Sequence, residues 1–242
     1  MIKTDPITDE IIYPSSDGKR MAENTKQFDL IVYLKLGIDN LFPKNENVFV
    51  ASDLLWYPVQ GRPDICTAPD VMVALGRPQG DRMSYQQWKE ADIAPQVVFE
   101  ILSPSNTPSE MNKKLLFYDR YGVQEYYVYD PDNVEFFAYL RTEKRLVVVQ
   151  ENLQGFKSPL LGIEFEIENE QLKAYYANGF PFLTFREISE SREREYQERI
   201  KAEQALLLSE QALLLSEQER NELLVEKQRL MDLLKNAGIK ID

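Results

Sequence analysis

Near the start of the chain, apolar residues recur every three and four positions. In "AENTKQFDLIVYLKLGIDNLF" (22–42), Phe28, Ile31, Leu34, Ile38 and Leu41 share one face of a 3.6-residue period, which predicts a helix. The pattern then shortens to runs of strand length. "NVFVAS" (47–52) and "LLWYPV" (54–59) read as a strand pair, and "PDVMVALG" (69–76) as a further strand. "RPQGDRMSYQQWKEADIAP" (77–95) reads as a long loop with a helical turn around Tyr85–Lys89. "QVVFEIL" (96–102) is almost continuously apolar, as expected of a strand inside a sheet. "SPSNTPSE" (103–110) combines turn residues with helix N-cap candidates. "EMNKKLLFYDRYG" (110–122) predicts a helix closed by Gly122. "VQEYYVYDPDN" (123–133) is a strand, and "VEFFAYLRT" with "KRLVVVQENLQG" (134–155) a hairpin. The order predicts a mixed α/β sheet, with 96–130 as a right-handed strand–helix–strand crossover.

Two segments stand outside this body. "YPSSDGKR" (13–20) is loop chemistry. From about 186 onward Glu, Gln, Leu, Arg and Ser dominate. There "QALLLSE" at 204–210 repeats unchanged at 211–217, and Leu223 and Leu230 again lie seven apart. Seven is the coiled-coil period. The expected organisation is therefore a domain over 1–185 and a long helical, coiled-coil tail over 186–242. Self-association through the tail is set against a helix folded back on its own body. The Leu triplets leave the register open.

Composition narrows the chemistry. The 242 residues include one cysteine and no histidine, and the formal net charge is −12. Cys66 excludes an intrachain disulfide and, with no imidazole to activate it, reads as a small buried or loop residue. No triad that uses histidine and no His-ligated zinc is possible. A metal must be held by oxygen, which suits Mg²⁺ or Mn²⁺. The absence of a signal pattern or a long apolar run predicts a cytoplasmic protein. The acidity argues against a nucleic-acid partner unless basic residues gather locally; Lys19, Arg20, Lys26, Arg77, Arg82, Lys113 and Lys114 are the candidates.

One pair of acids falls where the pattern gives it meaning. Asp70 opens one strand and Glu100 lies within the next regular one. Neighbouring strands are under about 5 Å apart, so the two carboxylates can converge at one sheet edge and, with a backbone carbonyl, cage a hard cation. Lys113 and Lys114 open the following helix and one can reach that edge. The ordinary alternatives are a strand-entry cap for Asp70, a solvated strand-end acid for Glu100 and a surface ion pair for Lys114. Trp56 and Trp88 are expected to be buried rather than to stack on bases. Glu125, Tyr118, Tyr126 and Tyr127 are expected to serve packing and hydrogen-bond networks.

The motifs Pro69-Asp70, "VFEILSPS" (98–105) and Lys114, Tyr118, Gly122, Val123, Glu125, Tyr126, Tyr127 together resemble the Uma-type family of restriction-endonuclease-like proteins, over roughly residues 10–185. That family is similar to the PD-(D/E)XK nucleases. The resemblance implies a restriction-endonuclease-like α/β fold with an αβββαβ core and metal-dependent hydrolysis of DNA. It implies Asp70, Glu100 and the Ile101 carbonyl as ligands to Mg²⁺ or Mn²⁺, and Glu23, in the first turn of the first helix, as an upstream acid. The lysine of that motif would fall at 102, where this chain has Leu102. The resemblance moves the basic role to Lys114, with Lys113 second. The alternative is a catalytically inactive scaffold assembled as a homo-oligomer, such as a dimer, through the body, the tail or both. No membrane partner is expected.

Overall fold

In the computed structural model, the described residues are 2–3, 11–18, 20–43 and 47–236. The chain divides into two compact units, residues 1–185 and 186–242.

In the first unit, α1 spans Thr25–Asp39. Asn24 caps it, accepting from the Gln27 N–H at 2.8 Å. The helix buries Gln27, Ile31, Tyr33, Leu34, Gly37 and Ile38. Phe28, expected on that face, is 46% exposed, because the buried stripe turns through Tyr33 and Gly37 instead.

A six-stranded sheet follows. Its strands are β1 (Val48–Ala51), β3 (Val71–Leu75), β5 (Val97–Ile101), β6 (Glu125–Asp130), β7 (Glu135–Arg141) and β8 (Leu146–Val148), adjacent in that order. All neighbours are antiparallel except β5 and β6, which are parallel and joined through α2 (Pro108–Tyr121). α2 begins with a capping box between Thr107 and Glu110 and ends at Gly122, whose φ of +95° favours glycine. The core order α1–β1–β3–β5–α2–β6 is the expected αβββαβ.

Strand alternation sends side chains to two cores. Val71, Val73, Val97, Phe99 and Ile101 pack with α1 residues and with Phe165 and Leu172. Met72, Ala74, Val98, Tyr126 and Val128 pack on the other face with Tyr118 of α2. The first core also covers a second sheet of β9 (Phe156–Lys157), β10 (Glu164–Glu168) and β11 (Gln171–Tyr175).

The expected pairing of 47–52 with 54–59 does not form. β1 pairs with β3, while β2 (Trp56–Tyr57) runs parallel to β4 (Tyr85–Gln86), which precedes a 3₁₀ turn at Gln87–Lys89. The turn at Asp53 (φ +49°) breaks the hairpin and sends the chain away from the main sheet.

In the second unit, α3 runs from Phe185 to Asn236 with no buried residue. Among the described residues no helix is long and apolar enough to cross a membrane.

Candidate active site

Strand register answers why an acid sits in the apolar run of β5. Val71 faces Phe99, so one further step sets Asp70 opposite Glu100. Residues opposite in an antiparallel pair project to the same face. Parity with Met72 and Val98 makes that the α2 face. From α2, Lys114 and Tyr118 come down onto Glu100. Lys114 Nζ donates to Glu100 Oε2 at 2.6 Å, and the Tyr118 hydroxyl donates to Oε1. Glu100 is only 2% exposed, so both carboxylate oxygens depend on these donors. The Ile101 N–H donates to Asp70 Oδ2 at 2.6 Å.

Electrostatics follow from this crowding. Burial, reinforced by the Glu100 charge, holds the Asp70 carboxyl well above the usual carboxylate range, against the opposing pull of Lys114 and the Ile101 N–H. For Lys114, burial lowers the pKa, but Glu100 and Asp70 outweigh it and the ammonium is held above its ordinary value. Burial and the Glu100 charge together push the Tyr118 phenol far up. Leu102 packs in the α2-side core, leaving the basic position beside Glu100 to Lys114.

Glu23 lies just before the Asn24 cap rather than in the first helical turn. It accepts from the Ser103 hydroxyl at 2.9 Å and from the Ser105 hydroxyl, which hold its carboxyl below the ordinary value. Gln27, one turn on, was not legible in the sequence as a site residue. Its Nε2 donates to the Ile101 carbonyl at 2.7 Å, while its Oε1 accepts from the Glu23 N–H at 2.9 Å. Tyr118, expected as a packing and network residue, takes that role on Glu100, whereas Asp53 carries no signal in the sequence. Asp53 stands two residues past β1, its N–H donates to the Pro69 carbonyl at 3.0 Å, and it lines the same cleft as Asp70. Desolvation, Asp17 and Glu100 raise its carboxyl while Lys114 opposes them.

Of these groups, Glu23, Gln27, Asp53, Asp70, Glu100 and Lys114 line one cleft of about 1020 Å³, with Tyr118 buried behind it. Among its described residues are the acids Asp17, Glu23, Asp53, Asp70, Glu100 and Glu110 against the bases Arg20, Lys113 and Lys114. Among the described residues the wider basic rim does not form: Arg77 and Arg82 are spent on Glu90 and Lys26 pairs with Asp132. Lys19 lies outside the described residues. Cys66 lines the cleft with its thiol pushed up by burial. Among the described residues no group of three or more acid, cysteine or histidine side chains is arranged to hold a metal. A cation here would draw on two carboxylates and a carbonyl.

An αβββαβ core with one acid entering its second sheet strand and another near the end of its third defines a restriction-endonuclease-like α/β protein. The chain belongs to the Uma2 family, described as "Putative restriction endonuclease", whose profile matches residues 10–170. A similar solved structure is that of "a putative nuclease belonging to DUF820 from Anabaena variabilis ATCC 29413", with a TM-score of 0.45 and 22% identity. The match covers 64% of this chain and 81% of that one. No curated protein matches the chain.

Proposed function

We propose that this protein hydrolyses DNA phosphodiester bonds with the help of Mg²⁺ or Mn²⁺. The observation that carries the reading is the cross-strand juxtaposition of Asp70 and Glu100 on the α2 face, with Lys114 bonded to Glu100. The residues fit a hard cation. Their donors are oxygens, and the one ammonium beside the two acids is bonded to Glu100, which leaves the Asp70 carboxyl short of positive charge. Asp70, Glu100 and the Ile101 carbonyl would hold the ion. When bound, it supplies Lewis acidity and makes a water a better nucleophile at neutral pH.

The chain's own residues set the geometry. The Ile101 N–H fixes Asp70, Lys114 and Tyr118 fix Glu100, and Gln27 fixes the Ile101 carbonyl. Such anchoring reduces reorganisation on ligand binding. Lys114 brings the positive charge for a phosphate oxygen. Glu23, held by Ser103 and Ser105, faces the same cleft and serves as the upstream acid.

Cleavage of a DNA panel in Mg²⁺ or Mn²⁺, with Mn²⁺ binding followed by calorimetry, tests the reading. Asp70→Ala and Glu100→Ala should abolish both signals, and Lys114→Ala should slow cleavage about a hundredfold or more. Cleavage that survives Asp70→Ala overturns it. A second reading, a binding module without turnover, is favoured by Leu102 and by the acid excess of the cleft; metal binding with no DNA cleaved would select it. We also propose that α3 joins copies of the chain.

A further inference from the structure

A second groove, of about 620 Å³, is lined by Ile11, Tyr13, Gln60, Gly61, Gln86, Trp88 and Lys89. Its chemistry is the reverse of the acidic cleft. Among these residues Lys89 carries the one charge, beside two aromatic rings and two carboxamides. Trp88, expected in the core, is only half-buried and lines this groove, whereas Trp56 is fully buried. The walls are built. The Tyr13 ring lies 4.9 Å from Trp88 and 5.2 Å from Tyr57. The Gly61 N–H donates to the Tyr13 hydroxyl at 2.6 Å, and the Tyr57 hydroxyl donates to the Pro14 carbonyl at 2.8 Å. The Gln86 carboxamide donates from Nε2 to the Ser84 hydroxyl at 3.2 Å and has a buried Oε1 with no hydrogen-bond partner, so a ligand donor that reaches it satisfies that oxygen.

The groove is also close to the cleft. Tyr13 lines one, and Asp17, four residues on, lines the other. Four residues of extended chain reach at most about 14 Å. On a second path, Tyr57 touches Tyr13 on one side and reaches Cys66 of the cleft on the other. A nucleic-acid strand crosses such a distance in a few nucleotides.

We propose that this groove is a subsite for an unpaired nucleobase, stacked on Trp88, its edge met by the Gln60 and Gln86 carboxamides and its phosphate by Lys89. Base–aromatic stacking with a nearby cation is the recurring chemistry of single-strand binding. A base still paired inside a duplex has no face to offer the indole. The proposal rests on the nuclease reading for its ligand class, and implies that the substrate is single-stranded, frayed or flapped near the scissile bond.

The two-tryptophan composition makes the test direct. With Trp56 sealed in the core, ligand quenching of tryptophan fluorescence reports on Trp88. The full chain is titrated in EDTA and low salt with a short single-stranded deoxyoligonucleotide, the blunt duplex of the same sequence and the matching RNA. EDTA makes the readout independent of cleavage. The expected result is quenching by the single strands and much less by the duplex; the stronger of DNA and RNA identifies the natural source of the base. By fluorescence anisotropy with a labelled strand, Trp88→Ala should weaken binding about fivefold or more, while Trp88→Phe should hold within about twofold. Circular dichroism shows whether each variant is folded. Equal quenching by duplex, no quenching by any oligonucleotide, or unchanged affinity in a folded Trp88→Ala overturns the subsite, even if the enzyme cuts DNA. Quenching by single strands in a protein that cuts nothing upholds the subsite and removes the nuclease reading.

Discussion

Asp70, Glu100 and Lys114 were legible because their side chains carry chemistry at strand and helix positions that the apolar pattern dates to one sheet edge. Gln27 and Asp53 were not, and Tyr118 was legible only as a network residue, without its partner. A glutamine on the first turn of a helix looks like any capping-turn polar residue until the fold brings the Ile101 carbonyl to it. Two consequences can be measured. The Asp70 carboxyl titrates higher folded than unfolded, so its stabilising contribution is complete below the ordinary aspartate value and is lost as pH rises through the elevated one. Asp70→Asn keeps an acceptor for the Ile101 N–H and removes the titration. In EDTA its gain in urea midpoint over wild type should be near zero below about pH 4 and grow toward neutrality; a gain independent of pH contradicts the shift. Tyr118→Phe strips a donor from the buried Glu100. It should cost about 1–3 kcal/mol by urea unfolding at neutral pH.

At the scale of elements, periodicity found α1, β3, β5, α2 and β6, the parts that build the site. It placed 47–52 against 54–59 wrongly because nearness in sequence suggested a hairpin. The two-residue strand β2 instead takes its partner from β4, nearly thirty residues on. The short strands of the second sheet, set between turns, lie beyond the last segment whose pattern predicts a strand. Nor did apolar spacing reveal why Gly37 stands in the middle of α1. A Cβ there would run into the ring of the buried Phe182. Alanine favours a helix over glycine by about 1 kcal/mol, yet Gly37→Ala should destabilise the protein, by about 1–3 kcal/mol, because overpacking wins. Adding Phe182→Leu should recover part of that loss in thermal melts. The capping box of α2 makes a simpler case. Thr107→Ala removes the acceptor for the Glu110 N–H and should cost about 1 kcal/mol.

For the whole molecule, the tail poses the clearest physical problem. A 52-residue helix is about 78 Å long, and every large apolar side chain from Leu206 to Leu230 is at least half exposed. Helices are stabilised mainly by covering an apolar face rather than by propensity. Leu206 to Leu208 recur at Leu213 to Leu215, one heptad on. A second copy of the helix carries the same repeat, so the chain itself supplies a matching cover. Charges of both signs stand along the same helix, such as Arg229 beside Glu226, and offer ion pairs between copies that offset part of the acid excess. Full-length protein should therefore sediment at a multiple of 28.2 kDa. Chain ending at Phe185 should sediment at a lower multiple while keeping the near-ultraviolet circular dichroism features of the α/β unit. Because Asp70, Glu100, Lys114 and Trp88 all lie within residues 1–185, Mn²⁺ binding and fluorescence quenching per chain should survive the truncation. A truncated chain of unchanged multiplicity would assign assembly to the α/β unit. One that loses Mn²⁺ binding would show that the acid pair depends on the association the helix provides.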